Sequence, residues 1–243
     1  MAKKYDRWQI YYYDEVTSTN DIIKNLCVKA NDKIVVCAQK QTAGRGRMGR
    51  QWQSLAGNLF FSLALNVDLR SLGTFILMCG LTLCQTIHTL QPMVNVQIKW
   101  PNDVLLNNAK VSGMLLEKGP ADYLIIGIGV NLVQHPISSD IIYPTTSLSN
   151  AGINVTIQQF LKLFLKQFTK NLALLETKTG CATLRNQWLG YVKGLGERLT
   201  VRQENQEMSG VFRGIDENGY LMLENDTGIC QIRVGDVFYI KES

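Results

Sequence analysis

Gln41-Thr42-Ala43-Gly44-Arg45-Gly46-Arg47-Met48-Gly49-Arg50-Gln51-Trp52 is the stretch on which the reading of this chain turns. Three glycines are interleaved with three arginines, and no acidic residue lies among them. Glycine reaches backbone angles closed to other residues, so Gly44, Gly46 and Gly49 let the loop turn its N–H groups inward around an anion. Arg45, Arg47 and Arg50 carry permanent charge in a planar fork that fits carboxylate or phosphate. A loop of this composition is expected to be loose when empty and to order on an anionic ligand. Two other readings stay open at this point: an exposed basic turn, and an Arg-Gly patch for nucleic acid, whose binding would weaken steeply with salt.

On either side of the loop the pattern alternates between short apolar runs and one helix. Ile34–Ala38 leads in as a strand and Asn58–Val67 leads away as another. Upstream, residues 8–16 read as a strand, and Thr17-Ser18-Thr19-Asn20 offers helix-capping residues before Ile22, Ile23 and Leu26. Ser18 and Thr19 have two readings, as caps or as hydroxyl donors to a ligand at the strand-to-helix corner. Downstream, a helix is expected near 71–90. Its Leu72–Leu90 part lacks Lys, Arg, Asp and Glu, which suits a membrane span on length, but its threonines, Gln85 and His88 favour a buried core helix. Val96–Trp100 reads as a strand stopped by Pro101, and 103–117 as a hairpin turning at Asn107-Asn108, with Lys110 entering its second strand near Lys99 and Asp103. Along the strand 123–131, Gly127 and Gly129 share one face and would leave room for a flat ligand, unless they mark a bulge. A helix starts near Thr156, with Gln159 completing a capping box and Phe160, Leu161, Phe164, Leu165, Phe168 and Leu172 forming its apolar stripe.

Near Gly194 the texture changes. Runs at 198–202, 208–215, 220–224, 228–234 and 237–240 are separated by Asp216-Glu217-Asn218-Gly219 and Glu224-Asn225-Asp226-Thr227-Gly228, both strong turn sequences. They point to a small β-barrel appended to the core.

Composition narrows the function classes. The chain has 243 residues, 46% of them hydrophobic, and a formal net charge of +5, which suits anionic substrates without demanding nucleic acid. Its six cysteines show no Cys-x-x-Cys spacing and no signal peptide is apparent, so free thiols in a reducing cytoplasm are expected. With only His88 and His135, a histidine metal centre or a Ser-His-Asp site is disfavoured.

Four segments in one order, Ser18-Thr19-Asn20, Gln41–Arg50, Lys99-Trp100-Pro101-Asn102-Asp103 with 110–117, and Gly127–Asn131, resemble the biotin protein ligases, the biotin–[acetyl-CoA-carboxylase] ligase family. The likeness covers nearly the whole chain. It implies an α+β fold, a mixed β-sheet with packed helices over residues 1–193 for biotin and ATP, followed by a small SH3-like β-barrel over 194–243. It implies two steps: biotin and Mg-ATP give biotinyl-5′-AMP and pyrophosphate, then a lysine of a biotin carboxyl carrier protein takes the biotin and AMP leaves. By position, biotin falls to Ser18, Thr19, Asn20, Gln41, Gly44, Arg45, Gly46, Arg47, Lys110 and Gly113. ATP falls to Arg45, Arg47, Arg50, Trp52, Lys110 and Asn131, and catalysis to Lys110, Arg47, Asp103 and Lys99. The metal ligands of the Mg²⁺ are not assigned. Asp103 is expected to orient or deprotonate the incoming amine, or to serve only as a helix-cap or turn carboxylate. Met48 stands where some members carry Arg. Seventeen residues precede Ser18, against roughly sixty for the helix-turn-helix module of repressor members. The expectation is a ligase without operator binding, monomeric or homodimeric. Lipoate-protein ligases share the architecture, but the Arg-Gly loop and Lys-Trp-Pro-Asn-Asp count against that reading. Intact Lys110, Arg45 and Arg47 count against a silent biotin-binding regulator.

Overall fold

The computed structural model describes residues 2–5, 8–27, 33–67, 72–137, 143–203 and 206–239. Apolar runs broken by turn residues become the strands β1 (Ala2–Tyr5), β2 (Trp8–Val16), β3 (Lys33–Gln41), β4 (Leu59–Asn66), β5 (Val96–Lys99), β6 (Asp103–Leu106), β7 (Ala109–Lys118) and β8 (Tyr123–Val130). They form one sheet in the order β1-β2-β3-β4-β8-β7-β6-β5. Neighbours are antiparallel except β2 and β3, which run parallel and are joined by the helix α1 (Thr19–Cys27).

Both faces of the sheet are covered, which is why β4 is apolar almost without alternation: Leu59 to Leu65 are all buried. On one face, Ile23 and Cys27 of α1 pack on Ile34, Val36, Ala64 and Ile125. The other face carries α2 (Leu72–Leu90), α3 (Ile157–Leu175) and α4 (Gly180–Leu189) over the main core. α2 is long and apolar enough to cross a membrane, yet Met78, Cys79, Leu81, Leu83, Cys84 and Ile87 are buried in that core. Its two buried threonines are satisfied there: Thr82 and Thr86 donate to the carbonyls four residues back, and Asn171 of α3 donates to Thr82. The capping box forms as read: Thr156 Oγ1 accepts from the Gln159 N–H, and Gln159 Oε1 accepts from the Thr156 N–H. Cys27, Cys37, Cys79 and Cys84 are buried as core thiols, and burial pushes Cys37 up to about 12.

The Asn107-Asn108 hairpin is present, with both residues at positive φ (52° and 65°) as the tight turn requires. β6 and β7 carry a feature invisible in the sequence. Asp103 pairs with Gly113 and Val104 with Ser112, but Leu105 pairs with Lys110, so one residue is bulged. Lys110 and Gly113, three apart, would face opposite sides of a regular strand; the bulge brings them to one face.

The C-terminal strands β9 (Arg198–Arg202), β10 (Glu207–Ile215), β11 (Leu221–Asn225), β12 (Gly228–Ile232) and β13 (Asp236–Tyr239) form an antiparallel sheet in the order β12-β11-β10-β9-β13. The expected barrel is therefore not closed. β13 returns to β9 instead of pairing with β12, and both stay as edges among the described residues. The expected end of this last strand at Ile240 lies outside the described residues. This sheet docks on the core through its β10–β11 turn: Trp100 Nε1 donates to the Gly219 carbonyl at 3.0 Å, and Asn218 lies against Gly73 at the start of α2.

β1 and α4 were not anticipated. β1 is too short and polar to carry a strand pattern, and α4 has a sparse apolar stripe, burying only Gly180, Leu184 and Trp188.

Candidate active site

A cleft of about 400 Å³ opens on the α1 face of the sheet, toward β13, and gathers most of the residues singled out from the sequence. This is the size of a small-molecule site. Its inner end is neutral and polar. Gln41 Oε1, at the end of β3, accepts both the N–H and the hydroxyl of Thr19 at 2.9 and 3.1 Å. Thr19 thus does not cap α1; the neighbouring strand takes that N–H. Ser62 of β4 donates to Thr19 Oγ1 and Asn20 Oδ1, and Asn20 Nδ2 donates to Glu117. Ser18, Thr19 and Asn20 are all buried.

The other end is cationic. Lys110 Nζ lies 2.7 Å from Asp103 Oδ1 and 5.5 Å from the Trp52 ring centre. Lys99, buried, faces the Tyr143 ring at 3.7 Å, with Phe238 of β13 beyond. Arg47 donates to Asn102 Oδ1, and Asn102 is itself held by the Met114 carbonyl. Asn131, buried at the end of β8, donates to the Thr146 carbonyl and also lines the cleft.

The glycine-arginine loop is folded on itself. Gly46 N–H bonds to Arg50 O and Trp52 N–H to Gly44 O, so these amides do not form the open anion nest expected from composition. Gly44 is required because a Cβ there would meet the Trp52 carbonyl at 2.7 Å. Each loop arginine has a protein partner: Arg45 forks onto Asp21, Arg47 reaches Asn102, and Arg50 grips both oxygens of Asp236 in β13. Met48 is exposed, at φ 53°.

Gly127 and Gly129 hold space, but not an empty one. A Cβ on Gly127 would meet Asn20 Oδ1 at 2.4 Å, and one on Gly129 would meet Trp52 Cε2 at 2.4 Å. A Cβ on Gly113 would meet the same indole, 2.8 Å from Cζ3. The register through Gly127 and Gly129 is unbroken, so they mark no bulge. The room at Gly127 is taken by Asn20 and that at Gly129 by the flat indole of Trp52, whose Nε1 is buried without a hydrogen-bond partner.

Residues 12–131 match the model of the biotin/lipoate A/B protein ligase family, and residues 194–239 that of the biotin protein ligase C terminal domain. The biotin–[acetyl-CoA-carboxylase] ligase of Paracoccus denitrificans is 36% identical, over 91% of this chain and 97% of its own. The chain belongs to the biotin protein ligase family. The bifunctional ligase/repressor of Bacillus subtilis is 33% identical, over 94% of this chain and 73% of its own length. The biotin protein ligase of Aquifex aeolicus, solved in complex with biotin and ATP, aligns with a TM-score of 0.83 at 30% identity, covering 96% of this chain and 99% of that one.

In this member of the biotin protein ligases, several cleft residues lay beyond sequence reasoning. Ser62 and Glu117, which hold Thr19 and Asn20 from behind the cleft, sit inside apolar strand patterns, and the lining residues Tyr143, Asp236 and Phe238 arrive from distant segments. Their charges and rings set the site's electrostatics. Burial holds Lys99 at about 8 against an ordinary 10.5; Asp103 and Asp236 only partly offset it, and Lys110 and Arg50 add to it. Burial also lowers Arg47, whose guanidinium nonetheless stays charged. A depressed lysine means that the folded chain binds fewer protons than the unfolded one between pH of about 8 and 10.5. Stability should therefore rise with pH across that window, the penalty being fully present below it. Lys99→Met is expected to raise the melting temperature most below pH of about 8 and to flatten the rise above it. Parallel melting curves of wild type and variant from pH 7 to about 10 would contradict this.

Proposed function

We propose that this chain is an ATP-dependent biotin protein ligase that activates biotin as biotinyl-5′-AMP and passes it to a lysine of a biotin carboxyl carrier domain. The observation that carries the reading is the polarity of the cleft. A cluster of neutral polar side chains, the buried Ser18, Thr19 and Asn20 with the half-buried Gln41, adjoins a cationic end built from Arg47, Lys99 and Lys110. Biotin has the matching polarity, with an uncharged ureido head and a carboxylate tail.

In the first step the carboxylate oxygen attacks the α-phosphorus of ATP, the bond to the β-phosphate breaks, and pyrophosphate leaves. Two anions must meet, so Lys110 and Arg47 offset their repulsion and the charge growing on the phosphoryl oxygens. Gly44, Arg45, Gly46 and Arg47 close over biotin and the phosphate and keep water from the mixed anhydride. Gly113 and Trp52 form the wall against which the adenylate lies, and the free Trp52 N–H and Asn131 offer polar contacts beside adenine. Arg50 borders the phosphates from β13's side. Two carboxylates face the cleft, Asp103 and Asp236, both already paired with cations, and no cluster of three or more metal-binding side chains occurs among the described residues. That donor set suits Mg²⁺ arriving on the ATP phosphates, where it neutralises charge as it does in other ATP sites.

In the second step the carrier's amine nitrogen attacks the acyl carbon, the bond to AMP breaks, and the ammonium proton is lost. Asp103, lining the cleft beside Lys110, is assigned to orient or deprotonate that amine. Asp103→Asn is expected to form adenylate but to transfer biotin about a hundredfold more slowly. Normal transfer from preformed adenylate would return Asp103 to a structural turn carboxylate.

Residues 1–193 are taken as the catalytic domain and 194–243 as the C-terminal domain. The acceptor is taken as the carrier domain of acetyl-CoA carboxylase or a related carboxylase. The direct test is intact mass of such a domain after incubation with the chain, biotin and Mg-ATP. A biotin-sized increase lost on mutating the acceptor lysine is expected; an unchanged mass with several carrier domains would defeat the transfer assignment.

A further inference from the structure

The glycine-arginine loop is tied to α1 by one residue whose position in the sequence gives no hint of it. Asp21 stands in the first turn of α1, directly after the Ser18-Thr19-Asn20 cluster. Arg45 Nη1 donates to Asp21 Oδ2 at 2.8 Å and Nη2 to Oδ1 at 2.6 Å, a bidentate fork. The same guanidinium approaches Glu117 Oε2 at 3.5 Å, and Glu117 is fixed in turn by Asn20 Nδ2 at 2.7 Å and Lys24 Nζ at 3.2 Å. The backbone of Arg45 bridges Gln51 across the loop, so holding this side chain holds both of the loop's limbs.

We propose that Asp21 is a positioning residue for the ligase reaction: it takes up the Arg45 fork, pins the loop to the helix turn that carries the polar end of the cleft, and leaves the anionic charge of the substrates to Arg47 and Lys110. Arg45 then acts through the loop's position and not as a ligand of carboxylate or phosphate. The placement is coherent with the surrounding chemistry. The first turn of a helix favours a carboxylate, and pairing with Arg45 holds Asp21 below the usual carboxylate range. Glu117 is also held low: burial would raise it, but hydrogen bonds from Asn20 and Lys24 and the charges of Lys24 and Arg45 outweigh that. A network of two carboxylates with Arg45 and Lys24 is locally balanced, so nothing in it calls for a further anion.

This inference rests on the ligase reading, and its test separates the two. The first measurement needs no ligand: limited trypsin digestion followed at Arg47 and Arg50. Asp21→Asn should speed cleavage in the loop about fivefold, and Asp21→Glu should restore the wild-type rate. Unchanged cleavage in Asp21→Asn would overturn the pinning, whatever the chain catalyses. The second is a double-mutant cycle on KM for biotin in adenylate formation, with Asp21→Asn, Arg45→Met and both together. Each single change should raise KM about fivefold with kcat nearly kept, and the double should be no worse than either single. If Arg45→Met instead loses far more than Asp21→Asn and the two effects multiply, Arg45 binds substrate directly and the proposal fails. If wild type makes no adenylate while the digestion result holds, the ligase reading fails and the pin stands.

Discussion

Replacing Lys110 by Met is expected to slow adenylate formation about 10²–10³-fold. The Met side chain keeps most of the apolar stem that lies beside Trp52 and over Gly113, so packing changes little. What is lost is the cation 2.7 Å from Asp103, at the end of the cleft where two anions must meet. The loss counts twice. The reacting phosphoryl group loses a positive neighbour in a partly desolvated site, and Asp103 is left unpaired, adding a third negative charge. The bulge in β7 makes the position hard to replace, because it alone turns residue 110 onto the face of Gly113. Lys110→Arg should recover part of the rate, since charge returns in a different shape. Single-turnover pyrophosphate release is the readout; a Met variant within about threefold of wild type would remove Lys110 from the chemistry.

Gly73→Ala is expected to destabilise the chain by about 1–3 kcal/mol and to slow adenylate formation as well. On helix propensity alone the change should stabilise α2, by about 1 kcal/mol. The structure reverses that sign. A Cβ on Gly73 would lie 1.7 Å from the Asn218 carbonyl oxygen and 2.8 Å from its carbon, and this is backbone, which cannot swing aside as a side chain would. The β10–β11 turn must retreat, and with it the Gly219 carbonyl that accepts from Trp100 Nε1. Trp100 stands between Lys99 and the cis Trp100–Pro101 bond that leads to Asn102 and Asp103. The C-terminal sheet thereby supports the segment from Lys99 to Asp103 as well as supplying Asp236 and Phe238 to the cleft. Thermal melting with a parallel adenylation assay checks both halves; a raised melting temperature would show that the turn is not pressed against α2.

Much of this was written in the sequence because the signals were local. The Asn107-Asn108 turn, the Thr156–Gln159 box and the charge-free run of α2 each depend on neighbours within a few residues, and each element formed where expected. The order of the motifs was equally legible, since the Arg-Gly loop and Lys-Trp-Pro-Asn-Asp need no structure to be recognised. Long-range geometry was not. The β7 bulge arises from the pairing of β6 with β7 and leaves no mark in composition. Gly127 and Gly129 do hold room on one face, but protein side chains fill it: Asn20 at Gly127, and at Gly129 Trp52, from the loop more than seventy residues earlier. The loop's arginines looked free because their partners, Asp21, Asn102 and Asp236, lie on three different segments. The C-terminal strands were placed almost to the residue, yet closure depends on which edge β13 chooses, and alternation along a strand does not encode that choice.

The most direct test of the central claim is exchange of labelled pyrophosphate into ATP, run with Mg²⁺ and either biotin or lipoate. Exchange that requires biotin and is not supported by lipoate is the predicted result, since it reports reversible formation of biotinyl-5′-AMP in the cleft. Exchange with lipoate and none with biotin would keep the adenylation chemistry and overturn the substrate. No exchange with either acid would contradict the account of Lys110 and Arg47 as charges built for an acyl-adenylate.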